Sequence, residues 1–71
     1  MTKYAVAHFD HFTGDLNLTI INQAANEVEA CAQALVSIDP SYDYTDLVLC
    51  KNLDDLCLHI STDESITALP V

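Results

Sequence analysis

The residues best suited to chemistry stand close together near the start of the chain, in the segment His8-Phe9-Asp10-His11. Two imidazoles and a carboxylate are metal-ligand types, and His59 or a cysteine could add a further ligand. In an extended strand, however, side chains alternate between faces, so His8 and Asp10 share one face while His11 lies on the other. A metal-binding module through His8, Asp10 and His11 therefore ranks last of three functional hypotheses. We assign no residue to a metal site and expect no cofactor.

Three cysteines, Cys31, Cys50 and Cys57, are the next candidates. An odd number does not make a disulfide framework, so we expect free thiols. Six residues separate Cys50 from Cys57, which is too many for the knuckle of a zinc site, although Cys57 and His59 would share a face of a strand. A nucleophilic cysteine needs an electropositive setting that lowers the pKa of its thiol. The cysteines are therefore interpreted as small apolar residues, with Cys31 in the core.

Positive charge is almost absent from this chain. Lys3 and Lys51 are its two cations, and eleven carboxylates bring the formal net charge to −9. Phosphate chemistry requires glycine-rich loops or Lys and Arg clamps, whereas the chain has a single glycine. Neither a serine nucleophile elbow nor a carboxylate cleft is indicated. We therefore predict that the protein is not an enzyme and has no catalytic residue. Direct nucleic-acid binding is also disfavoured, because it depends on neutralising phosphates.

The size and hydrophobicity of the chain indicate one small acidic domain over residues 1–71. Apolar residues make up 51% of it, whereas disordered acidic segments are poor in Val, Ile and Leu. The apolar surplus either fills a compact core or leaves an exposed contact patch. The start of the chain lacks a signal-peptide pattern, and no apolar run is long enough for a membrane span. We therefore expect a cytoplasmic protein without membrane contact.

An alternation of side chains predicts an antiparallel hairpin over residues 3–21. Gly14 supplies the positive φ that a short hairpin loop needs. One face of the first strand carries Tyr4, Val6 and His8. One face of the second strand carries three large aliphatic residues, and we expect that face to point to the core: Leu16, Leu18 and Ile20.

A helix is predicted to follow the hairpin. Its apolar stripe has helical spacing and consists of Val28, Cys31, Ala32, Leu35 and Ile38. Asn26, with Glu29 three residues later, resembles a capping box, and Asn22 is a competing cap one turn earlier. The helix should end at Asp39, because a residue that precedes proline avoids the helical region.

The second half of the chain predicts another hairpin, with strands over residues 46–51 and 56–60. Residues 52–57 fit either a turn or a helical extension, and the last residues fit an edge strand or a frayed end. The predicted fold is α+β with the order β-β-α-β-β. An antiparallel sheet of about four strands carries one amphipathic helix on one face and leaves the other face open to water or to a partner.

Carboxylates gather at the predicted loops and strand ends, around two tyrosines. Tyrosine is typical of contact surfaces, because its ring offers rigid amphipathic area. An acidic surface that only keeps the protein soluble is the alternative explanation. Repulsion among unopposed acids costs stability, however, which favours a functional reason for them. The predicted partner-binding surface consists of Asp39, Tyr42, Asp43, Tyr44, Asp46, Asp54, Asp55, Asp63 and Glu64.

The first functional hypothesis is an acidic protein-binding module that inhibits a nucleic-acid-binding protein or complex by docking in its basic groove, as a nucleic-acid mimic. In size, charge and layout alone, the chain resembles the small inhibitors that phages encode against host enzymes and defence complexes, anti-CRISPR proteins among them. The second hypothesis is a dimerising or structural adaptor subunit that uses an apolar sheet face or an edge strand, with a homodimer as one form. Metal binding is the third.

Overall fold

The computed structural model describes residues 2–71, and Met1 lies outside them. Their elements in order are β1 (Thr2–Asp10), β2 (Asp15–Ala24), α1 (Glu27–Ile38), α2 (Tyr44–Val48), α3 (Leu53–Cys57) and β3 (Glu64–Pro70). The α+β class is as predicted, and all strand pairs are antiparallel. The detail differs from the prediction: the order is β-β-α-α-α-β, and the sheet over residues 2–71 has three strands in the spatial order β2-β1-β3.

The first hairpin forms as predicted because its turn chemistry is local. Gly14 has a φ of 80°, and its N–H donates to the Asp10 carbonyl at 2.7 Å. The Asp10 carboxylate also accepts from the Phe12 N–H at 2.9 Å. The turn places Asp10 opposite Asp15, which sets the register of the whole β1–β2 pair up to an irregularity near Thr2.

The helix α1 begins where the capping pattern predicts. Asn26 is the N-cap, and its side-chain oxygen accepts from the Glu29 N–H at 2.9 Å. Asn22, the competing cap, lies in β2 instead. Asp39 is the C-cap, with an extended backbone ahead of Pro40. No helix within residues 2–71 combines the length and the apolar character that crossing a membrane requires.

The core lies between α1 and one face of the sheet, which we call the inner sheet face. Val28, Cys31, Ala32 and Leu35 of the predicted stripe are buried, whereas Ile38, at the helix end, is 38% exposed. The inner sheet face is formed by alternate residues of all three strands, and its buried members are Tyr4, Val6, His8, Ile21, Ile66 and Ala68. Burial of these apolar side chains against α1 is the main stabilising contribution of the fold.

The opposite face, which we call the outer sheet face, has no element of residues 2–71 packed over it. It consists of Ala5, Ala7, Phe9, Leu16, Leu18, Ile20, Ser65, Thr67 and Leu69. The expectation that Leu16, Leu18 and Ile20 point to the core is therefore wrong, since they are 59%, 76% and 54% exposed. The register pairs Leu18 with Ala7 and Ile20 with Ala5, and α1 covers the other side of the sheet.

The second predicted hairpin is wrong. The predicted strands over 46–51 and 56–60 fall instead on the short helices α2 and α3 and the turns that follow them. Short apolar runs fit a strand or a helix equally well by periodicity, and side-chain caps at Asp43 and Asn52 favour the helix here. The undecided segment 52–57 is largely helical. The third strand is the chain's tail, which pairs with β1 and makes β1 the central strand.

Candidate functional site

Two short helices and their flanking loops hold most of the predicted partner-binding residues. The Asp43 carboxylate accepts from the Thr45 N–H at 3.0 Å and begins α2. The Asn52 side chain accepts from the Asp55 N–H at 2.8 Å and begins α3. Each cap satisfies a backbone donor at the start of its helix. The cap thereby sets the residue at which the helix begins, and with it the position of the acidic residues in the first turn.

Three of the predicted acids are exposed, and their carboxylates do not hold a turn or cap a helix. The side chains of Asp46, Asp54 and Asp63 accept no hydrogen bond from other residues in the described part of the chain. Tyr44, at the start of α2, is 39% exposed. These residues are the part of the predicted surface that a partner could contact without breaking an interaction of the folded chain.

Other predicted acids hold their own loops. The Asp39 carboxylate accepts from the Ser41 hydroxyl at 2.7 Å and from the Ser41 N–H at 3.0 Å. The hydroxyl bond and then the backbone bond hold the pKa of Asp39 below its usual value. The Asp55 carboxylate accepts from the Lys51 N–H at 3.0 Å. Both acids add to the negative field, but their orientation is set by the turn in which they lie.

Glu64 is the centre of a partly buried polar network. One of its oxygens lies 2.7 Å from Nε2 of His8, and the other accepts from the Tyr42 hydroxyl at 2.7 Å. His8 is 3% exposed, and its Nδ1 has no hydrogen-bond partner within residues 2–71. The network ties the loop after α1 to β1 and β3. Tyr42 and Glu64 are therefore occupied inside the fold and are less accessible to a partner than the sequence suggested.

The tyrosine of this network stays protonated to high pH. Burial raises the pKa of Tyr42 to about 12, and the Glu64 carboxylate contributes both as hydrogen-bond acceptor and as a nearby negative charge. At neutral pH the Tyr42 hydroxyl is therefore the donor in the bond to Glu64.

The two cations do not offset the acidic surface. Among residues 2–71, salt-bridge geometry is met by His8 with Glu64, and neither Lys3 nor Lys51 pairs with a carboxylate. The negative field of the acids is consequently not neutralised by ion pairs with either lysine.

A thiol and an imidazole meet between α2 and α3. Sγ of Cys50 lies 3.5 Å from Nδ1 of His59, in a depression that Asp46 and Asp55 also line. Burial, and then the charges of Asp55 and Asp46, raise the pKa of the Cys50 thiol. This is the opposite of the shift that activates a cysteine nucleophile. Cys57 is exposed at the end of α3, so the expected strand face shared by Cys57 and His59 does not form.

The remaining cysteine and the first histidine cluster have structural surroundings. Cys31 is fully buried, as predicted, and burial raises the pKa of its thiol to about 12. His8 points into the core, whereas Nε2 of His11 lies 2.6 Å from the Ser65 hydroxyl. Residues 2–71 contain no group of three or more His, Cys, Asp or Glu side chains placed to hold a metal ion. The segment 8–11 therefore does not converge on a shared site.

The outer sheet face is the feature that sequence reasoning placed wrongly. Leu69 is 66% exposed there, beside Leu18 and Ile20, and together with Ala5 and Ala7 they line a shallow apolar depression. A turn that pairs Asp10 with Asp15 puts Leu18 opposite Ala7, on the face away from Val6, but it does not decide which of the two faces α1 covers.

Comparison with known proteins gives no relative. No protein-family model, no curated protein and no solved structure matches this chain. The functional argument therefore depends on the surface of the molecule itself.

Proposed function

We propose that this protein is a binding module whose acidic helical side docks on the basic groove of a nucleic-acid-binding protein or complex and blocks it. The observation that carries the proposal is the unneutralised surface charge. The sequence contains eleven carboxylates and two lysines. Neither lysine forms an ion pair with a carboxylate within residues 2–71. A groove lined with Lys and Arg offers the complementary potential.

We assign the contact region to the exposed acids whose side chains make no hydrogen bond in the fold, namely Asp46, Asp54 and Asp63, and to Tyr44, which begins the helix that carries Asp46. A rigid aromatic ring next to acids supplies contact area, while the acids steer the encounter. Asp39, Asp43 and Asp55 strengthen the same field from fixed positions. Tyr42 and Glu64 support the loop from within.

Such binding should be fast and strongly salt-sensitive, because exposed charges are screened beyond roughly 10 Å at ionic strengths near 0.1 M. The first test is capture of partners on the immobilised protein at low salt, followed by elution with rising salt. Duplex DNA or RNA is added in a parallel sample as competitor. The proposal predicts bound proteins that elute with salt and that nucleic acid displaces. Bound proteins that resist both treatments would contradict it.

A matched pair of charge reversals locates the contact. Asp54→Lys and Glu27→Lys each change an exposed acid in the first turn of a helix, and each moves the formal net charge by two units, from −9 to −7. We expect D54K to weaken binding of the captured partner at least about tenfold, in the range of a contact residue. E27K should weaken it only through the lower overall charge. Equal losses would rule out a defined acidic contact region.

The open sheet face favours a second candidate function, an adaptor subunit that binds a larger protein through apolar contact. The charge would then serve solubility, and binding would not weaken as salt rises. The salt series above separates the two functions.

A further inference from the structure

An open cavity lies where the start of α1 meets the start of α3. Its volume is about 340 Å³, and it is lined by Tyr4 of β1, by residues 25–28 and by residues 51–53. Pockets for small ligands begin at about 300 Å³, so the cavity has room for a metabolite. None of the predicted partner-binding residues lines it. It is therefore distinct from the acidic surface to which docking is assigned.

The tyrosine that lines the cavity has an unused hydroxyl. Tyr4 is only 8% exposed. Among residues 2–71, the side-chain polar atom that is both unbonded and sealed from solvent is Nδ1 of His8. The Tyr4 hydroxyl makes no hydrogen bond to these residues either, so it reaches open space, and the space that Tyr4 lines is the cavity. A buried tyrosine usually gives its hydroxyl a hydrogen-bond partner, and a ligand in the cavity would supply one.

Hydrogen-bond donors dominate the rest of the polar lining. The side-chain oxygens of Asn26 and Asn52 accept from backbone N–H groups of the helices that they cap, so the amide nitrogen is the free polar group of each side chain. The backbone N–H groups of Glu27 and Val28, in the first turn of α1, have no acceptor within residues 2–71. These groups suit a ligand that accepts hydrogen bonds.

The charges in the lining narrow the class of ligand. Lys51 is exposed and forms no ion pair with a carboxylate of the described chain, so its ammonium group is available to an anion. Glu27 places one carboxylate in the same lining. A dianion such as phosphate would meet that carboxylate and the field of a protein of charge −9. A zwitterion has no net charge to be repelled, and it offers one group to each of the two residues.

We propose that the cavity binds a free α-amino acid with a small apolar side chain. Its carboxylate accepts from Lys51 and from the first turn of α1, and its ammonium group pairs with Glu27. The Tyr4 hydroxyl donates to the carboxylate, and the apolar side chain packs on the Tyr4 ring and on Leu53. The inference does not rest on the proposed docking, and the capture experiments that test docking contain no free amino acid.

A nuclear magnetic resonance titration of the isotope-labelled protein with L-leucine tests the site directly. Saturable shifts are expected at the backbone amides of residues 25–28 and 51–53, which line the cavity. The dissociation constant should be about 0.1–1 mM, as the size of the ligand allows. Absence of saturable shifts at these amides overturns the inference.

Three further probes separate the zwitterion from a simple ion. Isopentylamine lacks the carboxylate of leucine, and isocaproate lacks its ammonium group. Each should bind about tenfold or more weakly than leucine, because each leaves one charged group of the cavity without its partner. Inorganic phosphate should not displace leucine. Isocaproate that binds as tightly as leucine, or phosphate that displaces it, overturns the assignment to an amino acid.

Two lysine substitutions provide the matched test of the residues. Lys51→Met and Lys3→Met each change the formal net charge by one unit, from −9 to −10. Lys3 alternates with Tyr4 along β1, so it points to the other face of the sheet. K51M should weaken leucine binding by about tenfold or more, and K3M by less than about twofold. Equal binding by the two variants overturns the inference.

A third variant tests the hydroxyl. Tyr4→Phe keeps the ring that is packed in the core and removes one hydrogen bond to the ligand, so leucine binding should weaken severalfold. Thermal unfolding of each variant verifies the fold. Leucine binding by Y4F that equals binding by the wild type overturns the role of the Tyr4 hydroxyl in the site.

Discussion

The two faces of the sheet both carry large apolar residues, yet they have different roles. The inner sheet face buries Val6, Ile66 and Ala68 against α1, while the outer sheet face leaves Leu18 and Leu69 exposed. The larger aliphatic residues of the hairpin are on the exposed side. Hydrophobicity alone therefore does not decide which face of a half-covered sheet becomes the core. What distinguishes the inner face is the helix over it and the polar tether from His8 through Glu64 to Tyr42.

The largest expected effect compares two aliphatic residues of β3 that lie on opposite faces. Ile66 is 7% exposed and Leu69 is 66% exposed. Ile66→Ala should lower the free energy of unfolding by about 2–5 kcal/mol, because it removes buried carbon and leaves a cavity. Leu69→Ala should change it by less than about 0.5 kcal/mol in the monomer. Urea unfolding at low protein concentration measures both, and a larger loss for L69A would reverse the assignment of the two faces.

The difference between the halves of the chain shows what the sequence could predict. The first hairpin and α1 were predicted because their signals are local: Gly14 in a turn, and Asn26 followed by Glu29. The same kind of signal stood at Asn52 and Asp55, three residues apart, and it marks the start of α3. The neighbouring short apolar runs fit strands equally well, so this signal left residues 52–57 undecided between a turn and a helix.

The wrong prediction that Leu16, Leu18 and Ile20 point to the core has a different cause. Each face carries enough apolar residues to form a core, so the choice depends on where α1 packs and on the third strand. Both are long-range features that alternation along one strand does not contain. The contact of Tyr42 and Glu64 is similar, since it joins side chains 22 residues apart in the chain. The predicted partner-binding surface therefore includes two residues, Tyr42 and Glu64, whose side chains contact each other inside the fold.

The next effect in size concerns the polar tether. Glu64→Ala removes the partner of both His8 and Tyr42 and leaves the buried His8 ring without a hydrogen bond in its surroundings. An unsatisfied buried group costs about 1–3 kcal/mol, and we expect a loss of that size in the free energy of unfolding. Asp63→Ala is the matched control, because the adjacent carboxylate is exposed. Equal stability of E64A and D63A would show that the tether does not stabilise the fold.

The smallest effect isolates the outer end of the same tether, the Tyr42 hydroxyl, and adds a pH dependence. Tyr42→Phe removes one hydrogen bond and should cost about 1 kcal/mol at neutral pH. Tyr44→Phe is the control, since its hydroxyl makes no hydrogen bond to a side chain within residues 2–71.

The pKa of Tyr42 is raised in the folded state from 10.0 to about 12, so between these values the folded protein retains a proton that the unfolded chain releases. The stabilising contribution of Tyr42 is therefore complete below pH 10 and is lost as the pH rises toward 12. Urea midpoints measured across this range, with tyrosinate absorbance recorded in parallel, should show the advantage of the wild type over Y42F shrinking. A constant difference between the two proteins would mean that folding does not raise the pKa of Tyr42 by burial and by its contact with Glu64.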